Sequence, residues 1–368
     1  MIGLARLHHA TMRPAILAAL LFVGLTGPGL AQEARDRQQD AAGASTLAPP
    51  ALSDLPTLLA TKYPTLRALV LARGNCSIFE YYRNNVDADT QSSVYSVTKS
   101  VLSILVGIAI DEGYLRLDQK LPEILPEAFN ENSDPRARDI TVRDILTKTE
   151  GFAETGSGDF KVGPPGSGLW AWMLNRPVKY AHGTHFRYDG VGSDLLAVVL
   201  SHAIKQNAAD FARRKLFDPL QISNYSWPSD TEGYLHGESG LLLTARDMAK
   251  IGLLYFHHGR WGDRQIVSDA YVQDSTTRHS DGGPPVKVAG YGYQWWVSQT
   301  RSGADAFFAS GYKSQLIYVV PKLDLVVAVS ANSVLGGSQK LIADVVLPAV
   351  ADRAGIAPCI AQLGPGRI

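Results

Sequence analysis

Two pairs of β-prone segments, one near each end of the chain, constrain the fold most strongly. Residues 66–71 and 77–82 flank a Gly-Asn turn, and residues 315–320 and 325–329 flank a second short connection. Such runs across short turns predict β-hairpins. The late pair is apolar almost throughout, which is typical of strands that are covered on both faces.

Between and after these hairpins the periodicity is mainly helical. The helical stretches are residues 97–110, a short helix begun by a capping box at Thr141 and Asp144, and residues 194–205, 244–257 and 338–350. Strands at both ends with helices between them predict an α/β (α+β) fold whose sheet is assembled from the two ends of the chain. We therefore assign residues 56–140 and 231–357 to a sheet-containing α/β domain, 141–230 to an inserted helical region, and 358–368 to a C-terminal tail.

The first 31 residues have the pattern of a secretory signal peptide. Arg6 and Arg13 precede a short apolar run at residues 15–23, and small residues lead to Ala31. Because the run is too short to cross a bilayer comfortably, we expect cleavage after Ala31, with a retained anchor as the alternative. This predicts a periplasmic or secreted protein without a stable membrane anchor, and a flexible leader over residues 32–55.

Composition excludes two classes of function. Lys+Arg and Asp+Glu both number 35, so the formal net charge is zero and the chain lacks the basic surplus of a nucleic-acid binder. Two cysteines cannot supply a zinc site built mainly from thiolates. Cys76 and Cys359 lie near opposite ends of the folded region, where a disulfide between them and a pair of free thiols are both open hypotheses.

The strongest chemical signal is Ser96-Val97-Thr98-Lys99, at the start of the apolar helix. Positions i and i+3 share a helix face, so the Ser96 hydroxyl and the Lys99 amine can meet. A serine needs an adjacent base to become a nucleophile, and a lysine becomes that base when burial lowers its pKa. A second Ser-x-x-Lys, at Ser310 and Lys313, precedes a strand, where i and i+3 point to opposite faces.

Two further segments add candidates. Tyr188 precedes a helix, and a tyrosine beside a lysine can share its proton; an ordinary loop tyrosine is the alternative. Ser310, Gly311 and Tyr312 enter the late hairpin, where small residues let a substrate carbonyl approach the backbone. The Tyr312 amide is there a candidate oxyanion donor, and a simple strand-entry turn is the alternative.

Taken together and in this order, the segments resemble the penicillin-recognising serine hydrolases. These include class C-type β-lactamases, D-alanyl-D-alanine carboxypeptidases, esterases and 6-aminohexanoate-dimer hydrolases. Ser96 and Lys99 match the first motif, and Tyr188 matches the second, whose Asn or Ser is Gly190 here. The third motif, Lys/His-Thr/Ser-Gly, begins with Ala309 and so lacks its cation.

The resemblance covers roughly residues 60–350, and further similar segments lie at residues 113–118, 141–147, 239–249 and 291–296. It implies a β-lactamase/transpeptidase-like fold, with a central antiparallel sheet, a helical domain and an active site between them. Ala309 cannot hold a substrate carboxylate. The resemblance is therefore nearest the esterase and 6-aminohexanoate-dimer hydrolase branch, with Asp189 or Ser193 as partial compensation for Gly190.

Several other side chains have both a functional and a structural interpretation. Four tryptophans are candidates for an aromatic wall around an acyl group: Trp170, Trp172, Trp295 and Trp296. Core packing is the alternative, and it is favoured for at least two of them. His182 and His185 flank a glycine, but the sequence offers no evident further ligand for a zinc site. Glu238, beside Ser239 and Gly240, is a candidate for positioning the water that hydrolyses an acyl-enzyme.

The sequence therefore predicts a serine hydrolase that cleaves a small-molecule amide or ester. Ser96 attacks, Lys99 accepts its proton, Tyr188 assists proton transfer, and the amides of Ser96 and Tyr312 hold the oxyanion. This mechanism needs no metal and no organic cofactor. A D,D-carboxypeptidase or β-lactamase is one alternative. A catalytically silent protein that binds peptidoglycan or a protein partner is another.

Overall fold

The computed structural model describes residues 51–365, except residues 132, 155–168, 287–288, 334–336 and 352–357. The predicted signal peptide at 1–31 lies outside the described residues, as does most of the predicted leader. Within the described part, no helix is long and apolar enough to span a bilayer.

Most of the strands form one antiparallel sheet, and the two short pairs β3–β4 and β5–β6 lie apart from it. In chain order the strands are β1 Leu66–Arg73, β2 Cys76–Tyr82, β3 Ser92–Ser93, β4 Leu242–Leu243, β5 Arg260–Trp261, β6 Arg264–Gln265, β7 Gly290–Tyr291, β8 Trp296–Gln299, β9 Asp305–Gly311, β10 Gln315–Val320, β11 Leu325–Ala331 and β12 Ala361–Gln362. The main sheet has eight strands in the order β12-β2-β1-β11-β10-β9-β8-β7. Both predicted hairpins are confirmed, and β1 pairs with β11, so the two chain ends meet in mid-sheet.

The helices cover both faces of this sheet. In chain order they are α1 Leu55–Lys62, α2 Val97–Asp111, α3 Leu121–Ile124, α4 Val142–Leu146, α5 Leu169–Leu174, α6 Val191–Ile204, α7 Ala208–Ala212, α8 Ala245–Phe256, α9 Asp269–Ser275, α10 Ser338–Leu341 and α11 Leu347–Ala351, with π-helical turns at Arg213–Phe217 and Ile342–Val346 and short 3₁₀ turns at Pro126–Ala128, Pro135–Asp139, Tyr312–Ser314 and Pro321–Leu323. The capping box at Thr141 is confirmed, because Thr141 and Asp144 bond reciprocally to each other's backbone amides. The helix predicted from residue 194 begins earlier, at Val191.

Two apolar clusters explain why β10 and β11 are apolar on both sides. Val326 and Ala328 of β11 belong to a cluster that includes the buried faces of α2, α6 and α8. Val327 and Val329 belong to the opposite cluster, which includes α1 and the C-terminal helices. Every residue of β10 and β11 is consequently buried, as the late hairpin predicted.

The ends of the described chain differ from the sequence prediction. Residues 358–368 were assigned to a tail, yet β12 pairs with β2 as an edge strand of the main sheet. Cys359 forms a disulfide with Cys76, which confirms that hypothesis and fixes the C-terminal segment beside the sheet. At the other end, Leu55 begins α1 and is fully buried, so ordered structure begins within the stretch assigned to the leader.

Candidate active site

The candidate nucleophile lies at the first turn of α2. Tyr95 has a left-handed φ of 47°, and the amides of Val97 and Thr98 donate to the carbonyls of Val94 and Tyr95. Ser96 is the N-cap residue, but its side chain makes no capping bond. The hydroxyl is thus available to other partners at the end of the helix that favours developing negative charge.

Lys99 is 3% exposed and lies one turn below Ser96. Its amine lies 3.1 Å from Ser96 Oγ and donates to the carbonyl oxygen of Glu238 at 2.7 Å. Burial, assisted by the positive charge of Lys148, lowers the pKa of Lys99 to about 7. A substantial share of the amine is therefore neutral near pH 7 and can accept a proton from the serine.

The Tyr188 ring completes this group. Its centroid is 5.4 Å from Lys99 Nζ, and its ring stacks on Trp296. Burial raises the pKa of Tyr188 to about 12, although a hydrogen bond with Ser96 opposes that rise. The phenol is therefore protonated at neutral pH. The structure brings Ser96, Lys99 and Tyr188 together, as the sequence predicted.

The end of β9 lies directly against the start of α2. A Cβ on Gly311 would approach the Val94 carbonyl oxygen to 2.2 Å and the Ser96 amide nitrogen to 3.3 Å, so only glycine permits this contact. Tyr312, the next residue, is 70% exposed and packs edge-on against Tyr95. Ser310 is half-buried within β9.

The tryptophans divide between the site and the core. Trp296 is buried, yet its ring stacks on Tyr188 and so backs the site. Trp295 is fully buried against Tyr255 and Phe307, which is the core-packing alternative. Trp170 belongs to α5, but its side chain lies outside the described residues.

The two residues suggested as partial compensation for Gly190 are bonded to other groups of the protein. Asp189 accepts a hydrogen bond from Arg187 at 2.6 Å, and its other carboxylate oxygen accepts one from the Gly192 amide at 3.0 Å. Ser193 is fully buried and bonds to neighbours behind the site. The carboxylate of Glu238 occupies the space instead, because a Cβ on Gly190 would lie only 1.3 Å from Glu238 Oε2.

A buried series of hydrogen-bonded polar side chains lies behind Lys99, and no sequence pattern predicts it. Lys148 Nζ donates to Ser193 Oγ at 2.6 Å, and Ser193 donates to Gln294 Oε1 at 3.0 Å. The Gln294 amide in turn donates to the backbone carbonyls that end α4. Lys148 Nζ also lies 3.8 Å from Asp189 Oδ1, so this series of side chains includes an ion pair.

Activity should rise with pH as Lys99 loses its proton, and replacing Lys148 with methionine should move this rise to higher pH. The positive charge of Lys148 lowers the pKa of Lys99, so its removal raises that pKa and leaves more of the base protonated at neutral pH. Measured as kcat/KM, the loss should be larger at pH 6 than at pH 9. An equal loss at every pH would show that Lys148 acts only through folding.

His182 and His185, the two histidines considered as metal ligands, each contact another side chain. His182 Nδ1 lies 3.0 Å from Asp144 Oδ2, and the His185 ring stacks on Tyr180. Across the described ranges, no three His, Cys, Asp or Glu side chains are arranged to hold a metal ion.

Comparisons with known proteins identify the family and the fold. The family profile described as Beta-lactamase matches residues 51–351. The 6-aminohexanoate-dimer hydrolase of Paenarthrobacter ureafaciens is 23% identical over 297 residues, which cover 73% of this chain and 75% of that protein.

Solved structures share the fold at low sequence identity. The D-stereospecific amidohydrolase from Streptomyces sp. aligns with a TM-score of 0.63 at 18% identity, covering 79% of this chain and 96% of that one. EstCE1, described as a hydrolase with promiscuous acyltransferase activity, aligns with a TM-score of 0.65 at 14% identity, covering 81% and 97%. Because the profile spans most of the chain, this protein belongs to the Beta-lactamase family of hydrolases, and it shares its fold with the amidohydrolase and with EstCE1.

Proposed function

We propose that this protein hydrolyses ester or amide bonds through an acyl-enzyme formed on Ser96. The observation that carries the proposal is the 3.1 Å contact between Ser96 Oγ and a buried Lys99 amine with a lowered pKa. Such a pair supplies both the nucleophile and the base that activates it.

Acylation begins when Ser96 Oγ attacks the substrate carbonyl and its proton passes to the neutral Lys99 amine. The amides of Ser96 and Tyr312, at the junction of α2 and β9, stabilise the oxyanion. Tyr188, whose phenol is protonated at neutral pH, then gives a proton to the leaving alcohol or amine. The bond to the leaving group breaks, and Tyr188 recovers its proton from Lys99.

Deacylation repeats these steps with water in place of the serine. Lys99 accepts a proton from the attacking water, the acyl–oxygen bond to Ser96 breaks as Tyr188 gives its proton to Ser96 Oγ, and Tyr188 recovers a proton from Lys99. The products are a carboxylic acid and the free enzyme. Each step uses groups of the chain, and none of them requires a metal ion or an organic cofactor.

Ala309 on β9 is uncharged and cannot bind a substrate carboxylate. This supports ester or amide substrates that need no carboxylate in order to be recognised. The sequence similarity to a 6-aminohexanoate-dimer hydrolase also supports an amide or ester substrate. We therefore expect turnover of short p-nitrophenyl esters and weak or no penicillinase activity.

Intact-mass spectrometry tests this function against its two rivals. We expect a fluorophosphonate to add one group to Ser96, p-nitrophenyl butyrate to be turned over, and benzylpenicillin to leave the mass unchanged. Prompt stoichiometric acylation by benzylpenicillin, or its turnover, would instead support a D,D-carboxypeptidase or β-lactamase. Failure of both the phosphonate and the ester to react would support a silent binding protein, which the altered motifs at Gly190 and Ala309 would then explain.

A further inference from the structure

The carboxylate of Glu238 occupies a place that a side chain at position 190 would otherwise fill. A Cβ built on Gly190 lies 1.3 Å from Glu238 Oε2 and 2.5 Å from its carboxyl carbon. Gly190 follows Tyr188 by two residues and is the N-cap residue of α6. The absence of a side chain at position 190 therefore lets an acidic group from a different loop reach the wall of the site.

The backbone of Glu238 is held in place from two sides. Its carbonyl oxygen accepts the hydrogen bond from Lys99 Nζ at 2.7 Å. Its amide donates to Asp194 Oδ1 at 2.9 Å, and the amide of Gly237 donates to the same oxygen at 2.8 Å. These contacts anchor the backbone of the loop to α2 and α6, so the side chain of Glu238 begins at a fixed point beside Lys99.

The charge of Glu238 acts inside the site. Its carboxylate favours the protonated form of Lys99 and of Tyr188, raising the pKa of each, which places it within electrostatic reach of both. The residue is exposed, and among the described residues no cation lies within ion-pair distance of its carboxylate. The carboxylates of Asp189 and Asp194, in contrast, accept hydrogen bonds from other groups of the protein.

The opposite wall carries no charge next to Ser96, where β9 presents the uncharged residues Ala309, Ser310 and Gly311. The cation that follows β9, Lys313, lies over the ring of Tyr95, 5.9 Å from its centroid. When Lys99 is in the neutral form that accepts a proton, no cation of the described residues is paired with the Glu238 carboxylate. An ionised carboxylate only accepts hydrogen bonds, so its favoured partner is a cationic donor.

We propose that Glu238 determines specificity by selecting substrates that carry a protonated amine within a few bonds of the scissile carbonyl. This inference rests on the proposed function, because that function places the scissile bond at Ser96. It narrows the substrate class from esters and amides in general to those with a cationic group next to the cleaved bond.

Two ligands that differ only in one charged group measure the contribution of that charge to binding. β-Alanine p-nitroanilide and butyric acid p-nitroanilide differ in an ammonium against a methyl group, and their dissociation constants are measured on the inactive Ser96→Ala protein. We expect about threefold to fivefold tighter binding of the cationic ligand, as is ordinary for exposed ion pairs. The preference should shrink as salt is raised from about 0.05 M to about 0.5 M.

Variants at Glu238 then test whether this residue causes the preference for the cationic ligand. In the Ser96→Ala background, Glu238→Gln should bring the ratio of dissociation constants to about one, whereas Glu238→Asp should retain part of the preference. Glu232→Gln, which removes an exposed carboxylate from the same loop, should leave the ratio unchanged.

Two outcomes would overturn the inference: equal binding of both ligands to the Ser96→Ala protein, or a preference that survives Glu238→Gln. Neither outcome depends on turnover. If the wild-type protein hydrolyses esters but shows no preference, the specificity inference alone fails. If it shows the preference but neither turns over esters nor reacts with the phosphonate, the proposed hydrolase function alone fails.

Discussion

The Ser96→Ala variant should lose ester and amide turnover by on the order of 10⁴-fold or more, and should no longer react with a fluorophosphonate. The reason is that Ser96 Oγ is the only protein atom in the proposed mechanism that forms a covalent bond to the acyl carbon. Binding and oxyanion stabilisation survive its loss, and they account for any residual rate. The measurement is kcat for p-nitrophenyl butyrate, with adduct formation followed by intact mass.

Stability controls for this variant follow from the local structure. Ser96 makes no side-chain capping bond, so alanine should change the unfolding temperature by only a few degrees, roughly the shift expected for less than about 1 kcal/mol. Ser302→Ala, in the exposed turn before β9, serves as the matched control and should retain full labelling. Continued reaction of the folded Ser96→Ala protein with the phosphonate would show that another serine is the nucleophile.

The fold could be predicted where the signal is local. Both hairpins, α2 and the capped start of α4 depend on residues close together in sequence, and all were found. The edge strand β12 was missed because two residues carry no pattern of their own. Its place depends on β2 and on the disulfide to Cys76, which are contacts with the far end of the chain.

The same distinction applies to the site. Ser96 and Lys99 were predicted because one helical turn fixes their distance whatever the tertiary structure. The contact of Lys99 with the Glu238 carbonyl joins residues 139 positions apart, and no local spacing encodes it. Gly190 was recognised as a missing side chain, but only the packing of two loops shows that Glu238 fills the space.

Lys148 illustrates a further limit. In the sequence it is one lysine in a short polar stretch after α4, where a solvated side chain would be expected. In the structure it is buried, with its ammonium bonded to Ser193 and close to Asp189. Its electrostatic effect on Lys99 arises only when α4, α6 and α2 pack together, so no local pattern of residues predicts it.

Lys99→Met should lower kcat/KM for esters by about 10²- to 10⁴-fold, the usual contribution of a positioned general base. Methionine is similar in length, so the packing of α2 is retained while the proton acceptor is lost. Wild-type kcat/KM should rise with pH to a plateau, with a midpoint near 7, because only neutral Lys99 is active. The variant should lack this ascending limb, which a purely structural role for Lys99 would leave in place.

Stability separates this effect from misfolding. The lowered pKa of Lys99 means that folding disfavours its charged form, so the wild-type protein should become more stable as pH rises from about 7 toward the ordinary lysine value of 10.5. Methionine removes that dependence and leaves the Glu238 carbonyl and Ser96 Oγ without the Lys99 donor, at a cost of about 1–3 kcal/mol. Lys313→Met, at the exposed lysine of the second Ser-x-x-Lys, should keep both the activity and the pH profile. A folded Lys99→Met protein with unimpaired kcat/KM would contradict the assignment of Lys99 as the base.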